Sequence, residues 1–115
     1  MRVSDIDTPA LLIDREIVLR NLQKMQSYAD AAGVSLRPHT KTHKMPYFAK
    51  LQKSLGAAGI TVAKTGEAEI MAANGLKDIF IANEIAGELK FQRIIALLRA
   101  GINLSFRIDS IEQEG

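Results

Sequence analysis

Short apolar runs rich in β-branched residues alternate along this chain with longer stretches in which apolar residues recur at helical spacing, the pattern of repeated βα units feeding a parallel sheet. After Pro9, Ala10-Leu11-Leu12-Ile13 reads as a first strand, and Asp14 is placed to cap a helix in which Val18, Leu22, Met25, Ala29 and Ala32 share one face before Gly33 ends it. Residues 34–41 read as a second strand, and Pro46 stands where a first-turn proline opens a helix that buries Phe48, Leu51 and Leu55 and exits through Gly56 and Gly59. Ile60-Thr61-Val62-Ala63 is a third strand. Thr65 is placed to cap a helix running through Asn74, and Gly75 closes it before a fourth strand, Ile79-Phe80-Ile81-Ala82. A helix over residues 87–100 is expected to bury Leu89, Phe91, Ile94, Ile95 and Leu98. Gly101 ends it, and Ile102, Leu104, Phe106 and Ile108 alternate with polar residues in a fifth strand. From Asp109 to Gly115 the pattern begins a further helix. No linker or low-complexity tract divides the chain, so the expectation is one α/β domain built from βα units of roughly twenty to twenty-five residues.

Composition narrows the class of protein. Hydrophobic residues make up 47% and charged ones 24%, with 3 prolines and 8 glycines, a profile with enough apolar surface for a packed core. The 15 basic and 13 acidic residues leave a net charge of +2, too small for an electrostatic footprint on nucleic acid or an anionic membrane. With no cysteine, the stretch can hold no disulfide, thiolate metal site or cysteine nucleophile. The start, Met-Arg-Val-Ser-Asp-Ile-Asp, has no apolar core for a signal peptide, and no run of about eighteen apolar residues follows, so a cytoplasmic protein is expected.

Ligands of parallel α/β folds collect at the carboxyl ends of the strands. That rule selects Arg37, His39 and Lys41 on the second strand, Lys64 after the third, Asn83 and Glu84 after the fourth, and Arg107 and Asp109 on the fifth. The densest group is Leu36-Arg37-Pro38-His39-Thr40-Lys41-Thr42-His43-Lys44, where strand alternation puts Arg37, His39 and Lys41 on one face. A lysine there, desolvated and among cations, would have a lowered pKa and an amine free to form a Schiff base. The spacing fits equally a solvated loop of lysine and histidine. His39 and His43 lie across a strand end rather than within one helix, which disfavours a shared zinc. Thr65 as cap with acids in the first turn accounts for Lys64, Gly66, Glu67 and Glu69, caps account for Asn83 and Asp109, an ion pair accounts for Arg107, and core filling accounts for Met25, Met45 and Met71.

Three segments carry a resemblance: Asp7-Thr8-Pro9-Ala10, Leu36 through Lys44 as quoted above, and Thr61-Val62-Ala63-Lys64-Thr65-Gly66-Glu67-Ala68-Glu69-Ile70-Met71-Ala72. In this order, over essentially the whole chain, the sequence resembles the D-threonine aldolase and eukaryotic-type D-serine dehydratase family of the alanine racemase-like, fold type III pyridoxal-phosphate enzymes. Arg-Pro-His-x-Lys-Thr-His-Lys is the most specific part of the match. The resemblance implies that residues 1–115 are the N-terminal portion of an incomplete (β/α) TIM-type barrel domain, since a whole barrel takes roughly 250 residues. It also implies that the strand at residues 10–13 joins a separate β domain. Lys41, rather than Lys44, would be the lysine joined to pyridoxal 5′-phosphate, with His39 and Arg37 beside it. The expected activity is a lyase on D-β-hydroxy amino acids, of the D-threonine aldolase or D-serine/3-hydroxyaspartate dehydratase type. Alternatives on the same resemblance are an amino-acid racemase and a non-catalytic cofactor-binding or barrel fragment. A manganese or zinc ion would be held by ligands outside this chain. The resemblance further implies a homodimer at full length, a small D-amino acid as substrate, no nucleic-acid or membrane partner, and no activity for these 115 residues by themselves.

Overall fold

A three-stranded, all-parallel sheet carries the fold, with β1 (Ile60–Val62), β2 (Asp78–Glu84) and β3 (Asn103–Arg107) in that spatial order. The computed structural model describes residues 1–111. Four helices accompany the sheet: α1 (Arg15–Ala31), α2 (Pro46–Ser54), α3 (Thr65–Ala73) and α4 (Glu88–Arg99). As the alternating pattern requires, α3 connects β1 to β2 and α4 connects β2 to β3, each crossover returning the chain to a parallel neighbour. Among the described residues, no helix is long and apolar enough to cross a membrane.

Local chemistry explains most element ends. The Asp14 carboxylate accepts the Ile17 amide at 3.1 Å and caps α1, while Pro46 occupies the first turn of α2, where a missing N–H costs nothing. In the sheet, Ile60 pairs in register with Ile79, and Ile79 with Leu104. Ile60, Val62, Ile79 and Ile81 are wholly buried, and with Ala68 and Met71 of α3 and Ile94 and Leu97 of α4 they form the core. At β2 the pairing with β3 is irregular between Ile81 and Glu84, after which Glu84 stands opposite Arg107.

The sequence pattern needs four corrections. Residues 10–13 form no strand. Leu11 is 92% exposed, and with no neighbouring strand to pair with, an apolar run has no ladder to join. Residues 34–39 are extended beside β1 but joined to it by a single parallel bridge, His39 with Thr61, because Pro38 has no N–H to give to a ladder. At Thr40 the chain leaves the extended path altogether and enters a 3₁₀ turn, Thr40–Thr42, so the second strand does not reach Lys41. Third, α4 turns a different stripe inward: Ile94 and Leu97 are buried and Phe91 half-buried, whereas Leu89, Ile95 and Leu98 face outward. Phe91 meets Phe106 of β3 edge-to-face at 6.4 Å, which settles the rotation of the helix. Fourth, α1 buries only Gln26 and Ala29, leaving Met25 exposed and Val18 and Leu22 half-covered. The further helix expected from Asp109 falls mainly on residues 112–115, outside the described residues.

Candidate functional site

Residues 36–39 run parallel to β1, so the turn that follows them stands at the carboxyl end of the sheet. Ala58 donates to the Leu36 carbonyl and Thr61 to the Pro38 carbonyl, both at 2.8 Å, and the Thr61 hydroxyl donates to the Arg37 carbonyl at 3.3 Å. Thr40 is buried and its hydroxyl donates to the Thr61 carbonyl at 3.2 Å, so the first residue of the turn is anchored to β1. Lys41 follows directly and is exposed. Among the described residues its ammonium enters no salt bridge.

Arg37, His39 and Lys41 do not share a face. The Arg37 guanidinium lies 2.6 Å from a carboxylate oxygen of Asp78, the first residue of β2, and therefore at the amino end of the sheet. The main cause of the low pKa of Asp78 is this hydrogen bond from Arg37. Gly59 makes room for the pair: a Cβ there would meet Arg37 and would stand 2.6 Å from the Asp78 carbonyl oxygen. His39 does stay with Lys41. Its Nδ1 accepts the Lys41 backbone amide at 3.2 Å, which leaves the ring proton on Nε2. Partial burial, and then the Lys41 ammonium, hold its pKa below the usual value, while the Glu67 carboxylate works in the opposite direction.

His43 is held by its surroundings. Nδ1 accepts the Met45 amide at 2.9 Å, so Nε2 donates to the Gln52 side-chain oxygen at 3.2 Å, and the ring meets Phe48 edge-on at 5.6 Å. Lys44 ends the turn with a positive φ of 52°, uncommon for a side-chain-bearing residue, and its amide closes back on the Thr40 carbonyl at 2.7 Å. Its ammonium reaches Glu67 at 3.5 Å.

Glu67 is the residue that the sequence pattern underrated. Thr65 does not cap α3. Lys64 occupies the cap position with no side-chain bond, and the buried Thr65 hydroxyl has no hydrogen-bond partner among the described residues. Glu67 instead reaches back, accepting the Ala63 amide at 2.7 Å. Burial pushes its carboxyl up, but the Ala63 amide, the Lys44 ammonium and the Lys64 amide outweigh that and hold it below the ordinary carboxylate range. The signal was present as an acid three residues after a cap position. Its partner across the fold was not visible.

An open cleft of about 800 Å³ lies at this end of the sheet, with Lys44, Lys64, Thr65, Glu67 and Asn83 in its walls. Glu84 at the end of β2 pairs with Arg107 at the end of β3 at 3.1 Å, and Asn83 accepts the Glu84 amide at 3.0 Å, so these residues brace the strand ends. Glu69 and Arg93 make a two-pronged pair, both contacts at 2.6 Å, that ties α3 to α4.

The chain is 37% identical over 113 residues to a 3-hydroxy-D-aspartate aldolase of Paracoccus denitrificans, covering 97% of this chain and 29% of that protein. It is 42% identical over 106 residues to a D-threo-3-hydroxyaspartate dehydratase of a Delftia species, covering 92% of this chain and 28% of the relative. The crystal structure of a D-threonine aldolase from Filomicrobium marinum superposes with a TM-score of 0.92 at 39% identity, covering 96% of this chain and 30% of that one. This chain is homologous to the amino-terminal part of the D-threonine aldolase and D-serine dehydratase family. Its α/β fold is that of the amino-terminal part of the alanine racemase-like, fold type III enzymes. No family model matches the chain. It spans less than a third of the length of the family members compared.

Proposed function

We propose that this chain is the lysine-bearing part of a barrel domain in a pyridoxal-phosphate-dependent lyase acting on D-β-hydroxy amino acids, and that Lys41 is the covalent anchor. The observation that carries the reading is the contrast between two neighbouring lysines. Lys41 stands exposed on a turn at the carboxyl end of the sheet and outside any salt bridge among the described residues, whereas Lys44 is paired with Glu67. A primary amine at that end of a parallel sheet fits an aldehyde cofactor, and the imidazole beside it supplies a donor.

When bound, pyridoxal phosphate supplies an electron sink for breaking a bond at the substrate α-carbon. The rest falls to side chains. Lys41 holds the cofactor and, once its amine is released, is placed to take up a proton as a general base. His39, neutral with its proton on Nε2, donates from beside that amine. Arg37 contributes from the opposite end of the sheet, by keeping the segment before the turn in register through Asp78. The names of the relatives support aldol cleavage and dehydration equally. A divalent metal held by residues outside this chain, and assembly as a homodimer, belong to the same reading.

The test is to mix the chain with pyridoxal phosphate, reduce with borohydride and locate the modified peptide by mass spectrometry. A single adduct on Lys41, lost in Lys41→Ala and still formed on Lys41, though more weakly, in Lys44→Ala, is the expected result. No adduct, or one on Lys44, overturns the assignment. Assays of the adduct-forming protein on D-threonine, D-serine and D-3-hydroxyaspartate, with and without manganese or zinc, then distinguish cleavage from dehydration.

A further inference from the structure

We infer that Glu67 is a positioning residue of the lysine site: one carboxylate takes the Ala63 amide at the end of β1 and the Lys44 ammonium at the end of the lysine turn, and so fixes where that turn stands over the sheet. The inference rests on the assignment of Lys41 as the cofactor lysine and names a residue that serves it.

The geometry distinguishes this role from plain helix capping. A first-turn acid that only caps α3 would need no partner outside the helix and the residues just before it. Glu67 has one 23 positions earlier in the chain, at the far end of the turn that carries Lys41. Lys44 is held in the left-handed region by a turn that its own amide closes on Thr40, and its ammonium is drawn back toward β1. Thr40 anchors the start of the turn to Thr61, and Glu67 anchors its end to Ala63, so Lys41 sits between two attachments to one strand. The Lys44 ammonium is mostly exposed, and an ion pair of that kind alone is weak. The Glu67 side chain is only 13% exposed and its bond to the Ala63 amide is charge-assisted, which makes the carboxylate the fixed member of the pair. The same charge acts on His39, where it opposes the effects of burial and of Lys41.

The experiment compares the full chain with its Glu67→Gln and Glu67→Asp variants. One readout is the affinity of pyridoxal phosphate for Lys41 by borohydride trapping. The other is hydrogen exchange at the Lys44 amide, which closes the turn on the Thr40 carbonyl. In Glu67→Gln the Lys41 adduct should form about tenfold more weakly, the equivalent of one charge-assisted hydrogen bond. The Lys44 amide should exchange faster, because the end of the turn is no longer drawn back toward the end of β1. Glu67→Asp, which keeps the charge, should restore both in part. A Glu67 that only caps α3 would leave both readouts at wild-type values in the folded variant, and that result overturns the inference. If the wild-type chain forms no Lys41 adduct, the cofactor reading fails by itself, and exchange at the Lys44 amide still decides for or against Glu67. Should Glu67→Gln fail to fold, Lys44→Met, which removes the other member of the pair, carries the same two readouts, and wild-type values in both overturn it.

Discussion

Residues 46–107 contain every member of the main hydrophobic cluster, from Ala49 to Ile102, whereas in residues 1–45 only Gln26, Ala29 and Thr40 are buried. The first region also has apolar side chains to hide, 19 in its 45 residues against 33 in the 62 of the second. In the second, consecutive βα units cover one another: α3 and α4 lie against the strands that they connect, and Glu69 with Arg93 ties helix to helix. In the first, Leu11, Leu12, Ile13, Ile17, Met25 and Tyr28 face outward, and among the described residues the tie to the sheet is the 36–40 segment along β1. The difference teaches that an apolar pattern is converted into a core only where a neighbouring element arrives to complete it. Lys41 sits on the seam between the two regions, which is why its bracing residues, Thr61, Ala63 and Glu67, come from the well-packed one.

Truncating the packed region should have the largest effect. Ile81→Ala, at a fully buried position, is expected to cost about 2–5 kcal/mol in urea unfolding, the range of large-to-small core changes. A loss below about 1 kcal/mol there would break the contrast. At the seam, Gly59→Ala forces a methyl against Arg37 and the Asp78 carbonyl, and an overpacking cost of about 1–3 kcal/mol is expected from the same measurement. Asp78→Asn should cost less, roughly 0.5–1 kcal/mol, because both partners keep about a third of their surface exposed. The Asp78 carboxyl has a lowered folded-state pKa, so its contribution is fully present above the unfolded value of about 4 and is lost as pH falls through the folded value. Stability measured between neutral pH and pH 3 should therefore fall less in Asp78→Asn than in the wild type. The smallest effect belongs to the open region: Leu12→Ala should stay within about 0.5 kcal/mol, and a core-sized loss would show that the amino-terminal segment is packed after all.

How much of this was legible beforehand depends on the range of the interaction. The Asp14 cap, the Pro46 start and the glycines at 33, 75 and 101 mark helix ends through bonds and torsions within a few residues, and the helices lie within a residue or two of where the pattern put them. The segment bearing Lys41 was likewise legible from its residues, and more so from the family that they resemble. The assumption that Lys41 shares a strand face with Arg37 and His39 was wrong, since alternation holds only while the chain is extended and Thr40 begins a tight turn.

The order of elements from Pro46 onward, the α/β class and the segment from Leu36 to Lys44 as the place to look were determined by the sequence alone, because each depends on spacing along the chain. The tertiary structure decided that Arg37 faces Asp78 across 41 positions, that α4 turns Ile94 and Leu97 inward, and that Glu67 reaches both Ala63 and Lys44. Those outcomes depend on which strand lies beside which and in what register. A period of 3.6 or 2 says that a face exists, but only a neighbour says what it meets.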